Sequence, residues 1–155
     1  MSDEVTITRG GPLPDLTLDG PDGPVTLESL RGGKPMVGIF YTEDATPTCT
    51  AQLCQFRDEF ALLEEIGATV VAISKDDQAT HARFSASKQF PFPLLSDPDL
   101  RMARAFGVVD EEIQRSVRAI FITDAGGKMQ QRIMFYSPYH PDQFLGVFKA
   151  LGADL

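Results

Sequence analysis

Two continuous apolar runs, separated by one amphipathic segment, constrain the fold of this chain more than any other feature. The runs are Met36–Tyr41 and Ala68–Ser74. Neither alternates with polar residues, which is typical of strands that are covered on both faces of a sheet. Between them, residues 49–66 carry apolar side chains at three- and four-residue spacing, which predicts one helix with a single apolar face. This order of elements favours an α/β domain with a mainly parallel sheet.

The rest of the chain continues this alternation of strands and helices. Further strands are predicted at 14–18, 23–27, 117–123 and 128–135, with 91–95 leading into another; further helices are predicted at 76–88, 97–106 and 142–151, with a helical turn at 28–31. The hairpin turn at 124–127 adds antiparallel strands, so we expect a mixed sheet with helices on both faces. This is the arrangement of thioredoxin-like domains, although the pattern also allows a small flavodoxin-like fold. Residues 1–155 are expected to form one domain.

Composition narrows the functional classes. The chain has 155 residues and a formal net charge of −8, which argues against nucleic acid or an anionic membrane as a partner. No apolar run approaches the roughly 20 residues of a membrane span. The acidic start of the chain does not read as a signal peptide, so we expect a cytoplasmic, reducing compartment. In such a compartment, a close cysteine pair is more often catalytic or redox-sensing than structural.

Cys49 and Cys54 are the only cysteines, and they lie at the start of the predicted 49–66 helix. A thiol at a helix N-terminus faces unpaired N–H groups and the positive end of the helix dipole, which favour the reactive thiolate. A second thiol one and a half turns later can trap the product of the first. Buried inert cysteines are also common, so spacing alone leaves a structural role open. Chemistry is favoured because Cys49 follows a polar loop that leaves a buried strand, and because Thr46 can direct a hydroxyl at the sulfur.

The segment Phe40–Thr50, which reads Phe-Tyr-Thr-Glu-Asp-Ala-Thr-Pro-Thr-Cys-Thr, is followed by Cys54 and Phe56–Asp58. Together with Pro91–Asp97 and Arg118–Asp124, it resembles the peroxiredoxin Q group, also called bacterioferritin comigratory proteins. The resemblance begins near residue 11 and continues to the end of the chain. The cysteine segment is highly specific, and the other two segments support it.

The resemblance implies a thioredoxin-like fold and a peroxidase that reduces hydrogen peroxide and organic hydroperoxides without a prosthetic group. Cys49 matches the peroxidatic cysteine, and Cys54 matches the resolving cysteine, which would form an intramolecular disulfide. Thr46 and Arg118 match the hydroxyl and the guanidinium that complete the family's active site. The implied reductant is a dithiol protein, thioredoxin or glutaredoxin. We expect the protein itself to be a monomer.

The chain departs from the family pattern at two positions. Thr42 stands where the family usually has a proline, and Thr48 stands where it usually has a glycine. The proline shields the reactive sulfur and shapes the loop, so its absence bears on catalytic efficiency rather than on the assignment.

For the other charged and aromatic residues, a functional role is weighed against a structural one. Arg118 would stabilise negative charge on the breaking O–O bond, whereas position alone would make it a solvated charge at a strand end. Arg57 is interpreted as a supporting residue or as the partner of Asp58 or Glu59 in an ion pair. His81 and His140 have no partners at metal-ligand spacing and are interpreted as surface residues, and four phenylalanines are expected in the core: Phe90, Phe92, Phe106 and Phe121.

Two other functions remain open from the sequence. A disulfide reductase of the thioredoxin class would use Cys-x-x-Cys, whereas four residues separate the cysteines here. A redox-sensing interaction domain would form the same disulfide to switch a binding surface, but it would not turn over peroxide.

Overall fold

A computed structural model describes residues 5–152, which form nine strands and six helices. The strands are β1 (Thr17–Gly20), β2 (Gly23–Thr26), β3 (Met36–Phe40), β4 (Thr69–Ser74), β5 (Leu94–Ser96), β6 (Val109–Asp110), β7 (Arg115–Ser116), β8 (Ala119–Thr123) and β9 (Met129–Met134). The helices are α1 (Leu27–Arg31), α2 (Pro47–Asp58), α3 (Phe60–Ile66), α4 (Gln78–Lys88), α5 (Arg101–Phe106) and α6 (Pro141–Ala150). In the described part of the chain, no helix combines the length and the apolarity that crossing a membrane requires.

Seven strands form one sheet in the order β2-β1-β5-β4-β3-β8-β9. The central strands β3, β4 and β5 are parallel neighbours, whereas β8 runs antiparallel to β3 and β9 runs antiparallel to β8. The predicted mixed sheet is therefore confirmed. The flavodoxin-like alternative is wrong, because β8 interrupts the parallel order directly beside the central strand.

Both faces of the sheet are covered, as the apolar runs predict. In β3, Val37 and Ile39 belong to the cluster beneath α2, α3, α4 and α6, whereas Met36 and Phe40 belong to the cluster beneath α1 and α5. All five residues of β3 are buried. The four phenylalanines expected in the core are buried as well: Phe90, Phe92, Phe106 and Phe121.

The single helix predicted for residues 49–66 is wrong. The structure has two helices, because Glu59 leaves helical geometry (φ −105°, ψ 15°) and its carbonyl accepts hydrogen bonds from the N–H groups of Leu62 and Leu63. The apolar face continues across the break, since Phe56 before it and Leu63 after it are both fully buried. The spacing of apolar residues indicates which face of a helix is buried. It does not detect an interruption of the helix after which the same face stays buried.

The predicted helix at 97–106 begins four residues later, at Arg101. Asp97 lies outside the helix, and its carboxylate accepts hydrogen bonds from the N–H groups of Met102 and Ala103 at 3.1 and 2.9 Å. Leu100 adopts a left-handed conformation (φ 59°), which keeps the preceding residues out of the helix. The strand expected at 14–18 lies at Thr17–Gly20 instead. The short β6–β7 ribbon was not predicted, because a strand of two residues is too short to show alternating apolar and polar side chains.

Candidate active site

Cys49 is the third residue of α2. Thr46 precedes the helix in an extended conformation, Pro47 is its first residue, and the Thr50 N–H donates to the Thr46 carbonyl at 2.8 Å. The helix has no side-chain cap, and its first turn contains no acidic residue. The free N–H groups and the positive end of the helix dipole therefore act on Cys49 without a competing carboxylate. Cys49 is 2% exposed and belongs to the same core cluster as Leu53.

Cys54 lies on the same helix, as a half-buried free thiol that packs against the same core cluster. Two positions that are five residues apart on one helix have Cα atoms about 8–9 Å apart and side chains that point about 140° away from each other. Disulfides need Cα atoms within about 7 Å and converging Cβ atoms. The intact helix therefore holds the two thiols in a geometry that cannot form the bond.

Thr46 is half-buried, and its hydroxyl donates to the Glu43 carbonyl at 3.1 Å. This contact closes the turn that leads into α2 and leaves the oxygen's lone pairs available. That the hydroxyl acts on the Cys49 sulfur or on a bound peroxide stays a prediction.

Arg118 immediately precedes β8, and the first residue of β8, Ala119, pairs with Phe40 at the end of β3. The arginine therefore stands at the sheet edge where the cysteine loop begins. Its Nε donates to the Tyr136 carbonyl at 3.1 Å, and the Tyr136 N–H donates to the Arg118 carbonyl at 2.9 Å. Over residues 5–152, the terminal guanidinium nitrogens make no further hydrogen bond or ion pair, so they can receive an anionic group.

Tyr136 links this arginine to the cysteine helix, a connection that sequence reasoning missed. Its hydroxyl donates to Gln55 Oε1 on α2 at 2.5 Å, and the Gln55 amide donates to the Pro138 carbonyl at 3.4 Å. Burial raises the pKa of Tyr136, so the phenol stays neutral and remains a donor. The residue before Tyr136, Phe135, is also aromatic and yet 69% exposed. The aromatic character of this segment therefore does not reveal which ring contacts α2.

Gln52 fixes α2 to the end of the central strand. It is fully buried between the two cysteines in the sequence, and its amide donates to the Phe40 carbonyl at 3.2 Å. Its Oε1 has no hydrogen-bond partner among the described residues. Arg57, farther along the helix, pairs with Asp58 at 3.0 Å and donates to the Lys88 carbonyl at 2.8 Å, which confirms its structural interpretation.

The prediction that His81 is a surface residue is wrong. His81 is 2% exposed, and its Nδ1 lies 2.7 Å from Asp44 Oδ2. Asp44 belongs to the loop between β3 and Cys49 and is 37 positions away in the sequence, so local spacing could not reveal the pair. His140 is exposed at the start of α6, as predicted.

The described residues contain no group of three or more histidine, cysteine or acidic side chains that could hold a metal ion. The chemistry that this arrangement offers is that of a thiol at a helix N-terminus. A second thiol lies on the same helix, and a guanidinium lies at the adjacent strand edge.

The AhpC/TSA family profile matches residues 10–132 of the chain. The chain is 34% identical over 131 residues to peroxiredoxin Bcp of Bacillus subtilis (strain 168), covering 81% of this chain and 83% of the relative. It is 33% identical over 141 residues to the chloroplastic peroxiredoxin Q of Oryza sativa subsp. japonica, covering 90% of this chain. The chain spans 64% of the length of that plant relative.

Solved structures resemble the whole domain. The peroxidoxin BcpB of Mycobacterium tuberculosis superposes with a TM-score of 0.82 at 31% identity, covering 93% of this chain and 97% of that one. The bacterioferritin comigratory protein of Xanthomonas campestris, studied for alkyl peroxide reduction, superposes with a TM-score of 0.76 at 28% identity, covering 94% and 98%. These similarities confirm the predicted thioredoxin-like fold.

Proposed function

Because the chain belongs to the AhpC/TSA family, and within it to the peroxiredoxin Q and Bcp group, we propose that it is a thiol-dependent peroxidase. Its substrates are hydrogen peroxide and organic hydroperoxides, and its electrons come from thioredoxin or glutaredoxin. The alkyl peroxide reduction studied in the Xanthomonas campestris relative supports this substrate class. The reaction needs no prosthetic group.

The first half-reaction oxidises Cys49. Its thiolate attacks the terminal oxygen of the hydroperoxide, the O–O bond breaks, and the S–O bond forms. The leaving alkoxide or hydroxide takes a proton and departs as alcohol or water. Sulfur is oxidised to sulfenic acid while the peroxide is reduced, so electrons balance.

The second half-reaction restores the thiol. The Cys54 thiolate attacks the Cys49 sulfenic sulfur, releases water after protonation, and leaves a disulfide. The dithiol reductant then attacks this disulfide, becomes oxidised itself, and returns both cysteines to thiols.

Arg118 and Thr46 assist the first step in this proposal. Negative charge develops along the O–O bond as it breaks, and a guanidinium at the adjacent sheet edge stabilises that charge. The Thr46 hydroxyl orients the peroxide or the sulfur. The support is the place of Arg118 beside the end of β3 and the place of Thr46 directly before α2.

One observation carries the proposal: within the family's cysteine motif, Cys49 is a free thiol in an uncapped first helical turn, with Cys54 on the same helix. We further propose that the protein works as a single-domain monomer in a reducing, cytoplasmic compartment. Light scattering of the reduced and oxidised protein tests the monomer.

The direct test is peroxide consumption coupled to thioredoxin and its reductase. The wild type is expected to turn over many equivalents, and Cys49→Ser is expected to turn over none. Consumption that stops after one equivalent with thioredoxin and glutaredoxin both supplied would instead identify a redox-sensing switch.

A further inference from the structure

A cluster of buried polar side chains lies between the cysteine loop and α4, and the chemistry of the two thiols does not use it. Tyr41, Asp44 and His81 are 0%, 7% and 2% exposed. Asp44 Oδ2 lies 2.7 Å from His81 Nδ1, and Asp44 Oδ1 accepts a 2.5 Å hydrogen bond from the Tyr41 hydroxyl. A buried carboxylate is stable only when it is paired and hydrogen-bonded, as this one is.

The partners of His81 determine how many protons the pair holds. Nδ1 faces a carboxylate oxygen, and Nε2 faces the Leu95 carbonyl at 3.2 Å. Neither oxygen can donate unless the carboxyl itself is protonated, so each contact requires one proton. The Asp44–His81 pair therefore holds two protons, as a carboxylate with an imidazolium or as the equivalent neutral pair.

Tyr41 completes the arrangement as a donor. Burial, and then the negative charge of Asp44, raise the pKa of Tyr41 well above its ordinary value. The phenol therefore keeps its proton and keeps donating to Asp44 across the neutral and mildly alkaline range.

The pair anchors the loop from which Cys49 emerges. Asp44 is the loop residue whose carboxylate enters the interior, and its N–H also donates to Asp76 Oδ2 at 3.0 Å. The next residue, Ala45, adopts a left-handed conformation (φ 66°), which is unfavourable for a residue with a Cβ and persists only when its neighbours hold it. Thr46 and the first turn of α2 follow directly, so the position of Asp44 sets where the helix begins.

We propose that Asp44 and His81 are positioning residues for the reaction of Cys49 with peroxide, because their contact fixes the cysteine loop to α4. The proposal rests on the proposed peroxidase function. It adds that a residue of α4, His81, holds the loop that positions Cys49.

Several other groups surround the pair. Tyr41 lies directly after β3, and β5 contributes the Leu95 carbonyl. Asp77 caps α4 nearby, where its carboxylate accepts a hydrogen bond from the Thr80 N–H. Beyond Asp44, Asp76 pairs with Arg115 at 3.4 Å. His81 also borders an open cleft of about 430 Å³ beside α4.

The kinetic test uses the only two histidines as a matched pair. His81→Gln is expected to lower the rate constant for Cys49 oxidation about ten- to hundredfold, because a small misplacement of a reacting group costs that much. His140→Gln is expected to keep the wild-type rate.

A double variant separates positioning from general loss of stability. Asp44→Asn combined with His81→Gln is expected to react no more slowly than His81→Gln alone, because the two residues act as one unit. A folded His81→Gln whose Cys49 is oxidised as fast as that of His140→Gln would overturn the proposal.

A measurement on the wild type does not depend on whether the variants fold. In a nitrogen NMR spectrum of labelled histidine at neutral pH, His81 is expected to show protons at both ring positions, or one proton shared with Asp44 and one on Nε2. A ring with a free, unprotonated nitrogen would refute the two hydrogen bonds by which His81 holds the loop. If the protein turns over no peroxide, the proposed function fails, and this spectrum still tests the pair.

Discussion

Arg118 lies directly before β8 and outside α2, so replacing it changes no residue of the cysteine helix. Arg118→Ala is expected to slow the single-turnover oxidation of Cys49 about a hundredfold, which is typical when one donor to a developing negative charge is lost. Arg118→Lys is expected to recover only part of the rate, because a point charge cannot replace a planar fork of donors. Stopped-flow measurement of peroxide consumption checks both.

The control for Arg118 is Arg101→Ala, because Arg101 is an exposed arginine at the start of α5. It should leave the rate unchanged. If both alanine variants react at the wild-type rate, Arg118 has no part in peroxide reduction.

The buried carboxyl of Asp97 makes the free energy of unfolding depend on pH. Burial raises its pKa, and the N–H groups of Ala103 and Met102 only partly oppose this effect. The folded chain therefore binds the proton more tightly than the unfolded chain, so this contribution to stability is fully present below the unfolded pKa of 3.8 and is lost as pH rises through the folded value.

Asp97→Asn removes this titration and places an amide donor against a backbone donor, at a cost of about 1–3 kcal/mol. In urea unfolding, the wild type should be more stable than the variant by a margin that shrinks as the pH rises through that window. A margin that grows with pH would contradict the sign.

The central pair of strands depends on a glycine. A Cβ on Gly38 of β3 would lie 1.7 Å from the ring of Phe121, its partner on β8. That ring cannot move aside freely, because it packs with its centroid 4.5 Å from that of Phe106.

Gly38→Ala is therefore expected to destabilise the fold by about 1–3 kcal/mol through overpacking. Adding Phe121→Leu should recover part of the loss, which thermal unfolding measures. A double variant less stable than the sum of the two single changes would contradict this explanation.

Helix α2 must change shape when the disulfide forms, because the intact helix separates the thiols. Unwinding breaks the hydrogen bonds of Gln52 to Phe40 and of Tyr136 to Gln55, and we expect it to stop at Glu59, where the helix already ends. The oxidised protein should lose helical circular dichroism and gain a tryptic site at Arg57.

Amide exchange locates this change. Exchange should accelerate across residues 49–57 in the oxidised wild type, while the Cys54→Ser variant with a sulfenic acid at Cys49 keeps the reduced pattern. If exchange protection across this segment is equal in the disulfide and dithiol forms, the two cysteines do not lie on one continuous helix in solution.

At the level of the whole molecule, the parts predictable from sequence are those with a dense local pattern. The apolar runs of β3 and β4 identify strands covered on both faces, and the cysteine motif identifies α2. The break at Glu59 was not predictable, because the buried stripe continues through it.

The contacts that surround the site depend on tertiary structure. His81 lies on α4, a mostly polar helix that follows β4 in the sequence. Its partner Asp44 lies in the loop after β3, 37 residues earlier. Tyr136 likewise joins Arg118 to α2 through one carbonyl and one hydroxyl. Neither pairing has a signature in spacing or composition, because each depends on how separate elements pack.

The central claim is that Cys49 is oxidised and Cys54 resolves it. Intact-protein mass spectrometry after one equivalent of peroxide tests this claim most directly. The wild type should lose two hydrogens as a disulfide forms, Cys54→Ser should gain one oxygen at Cys49, and Cys49→Ser should remain unchanged. An oxygen gained at Cys54 in the Cys49→Ser variant, at the rate of the wild-type reaction, would contradict the account.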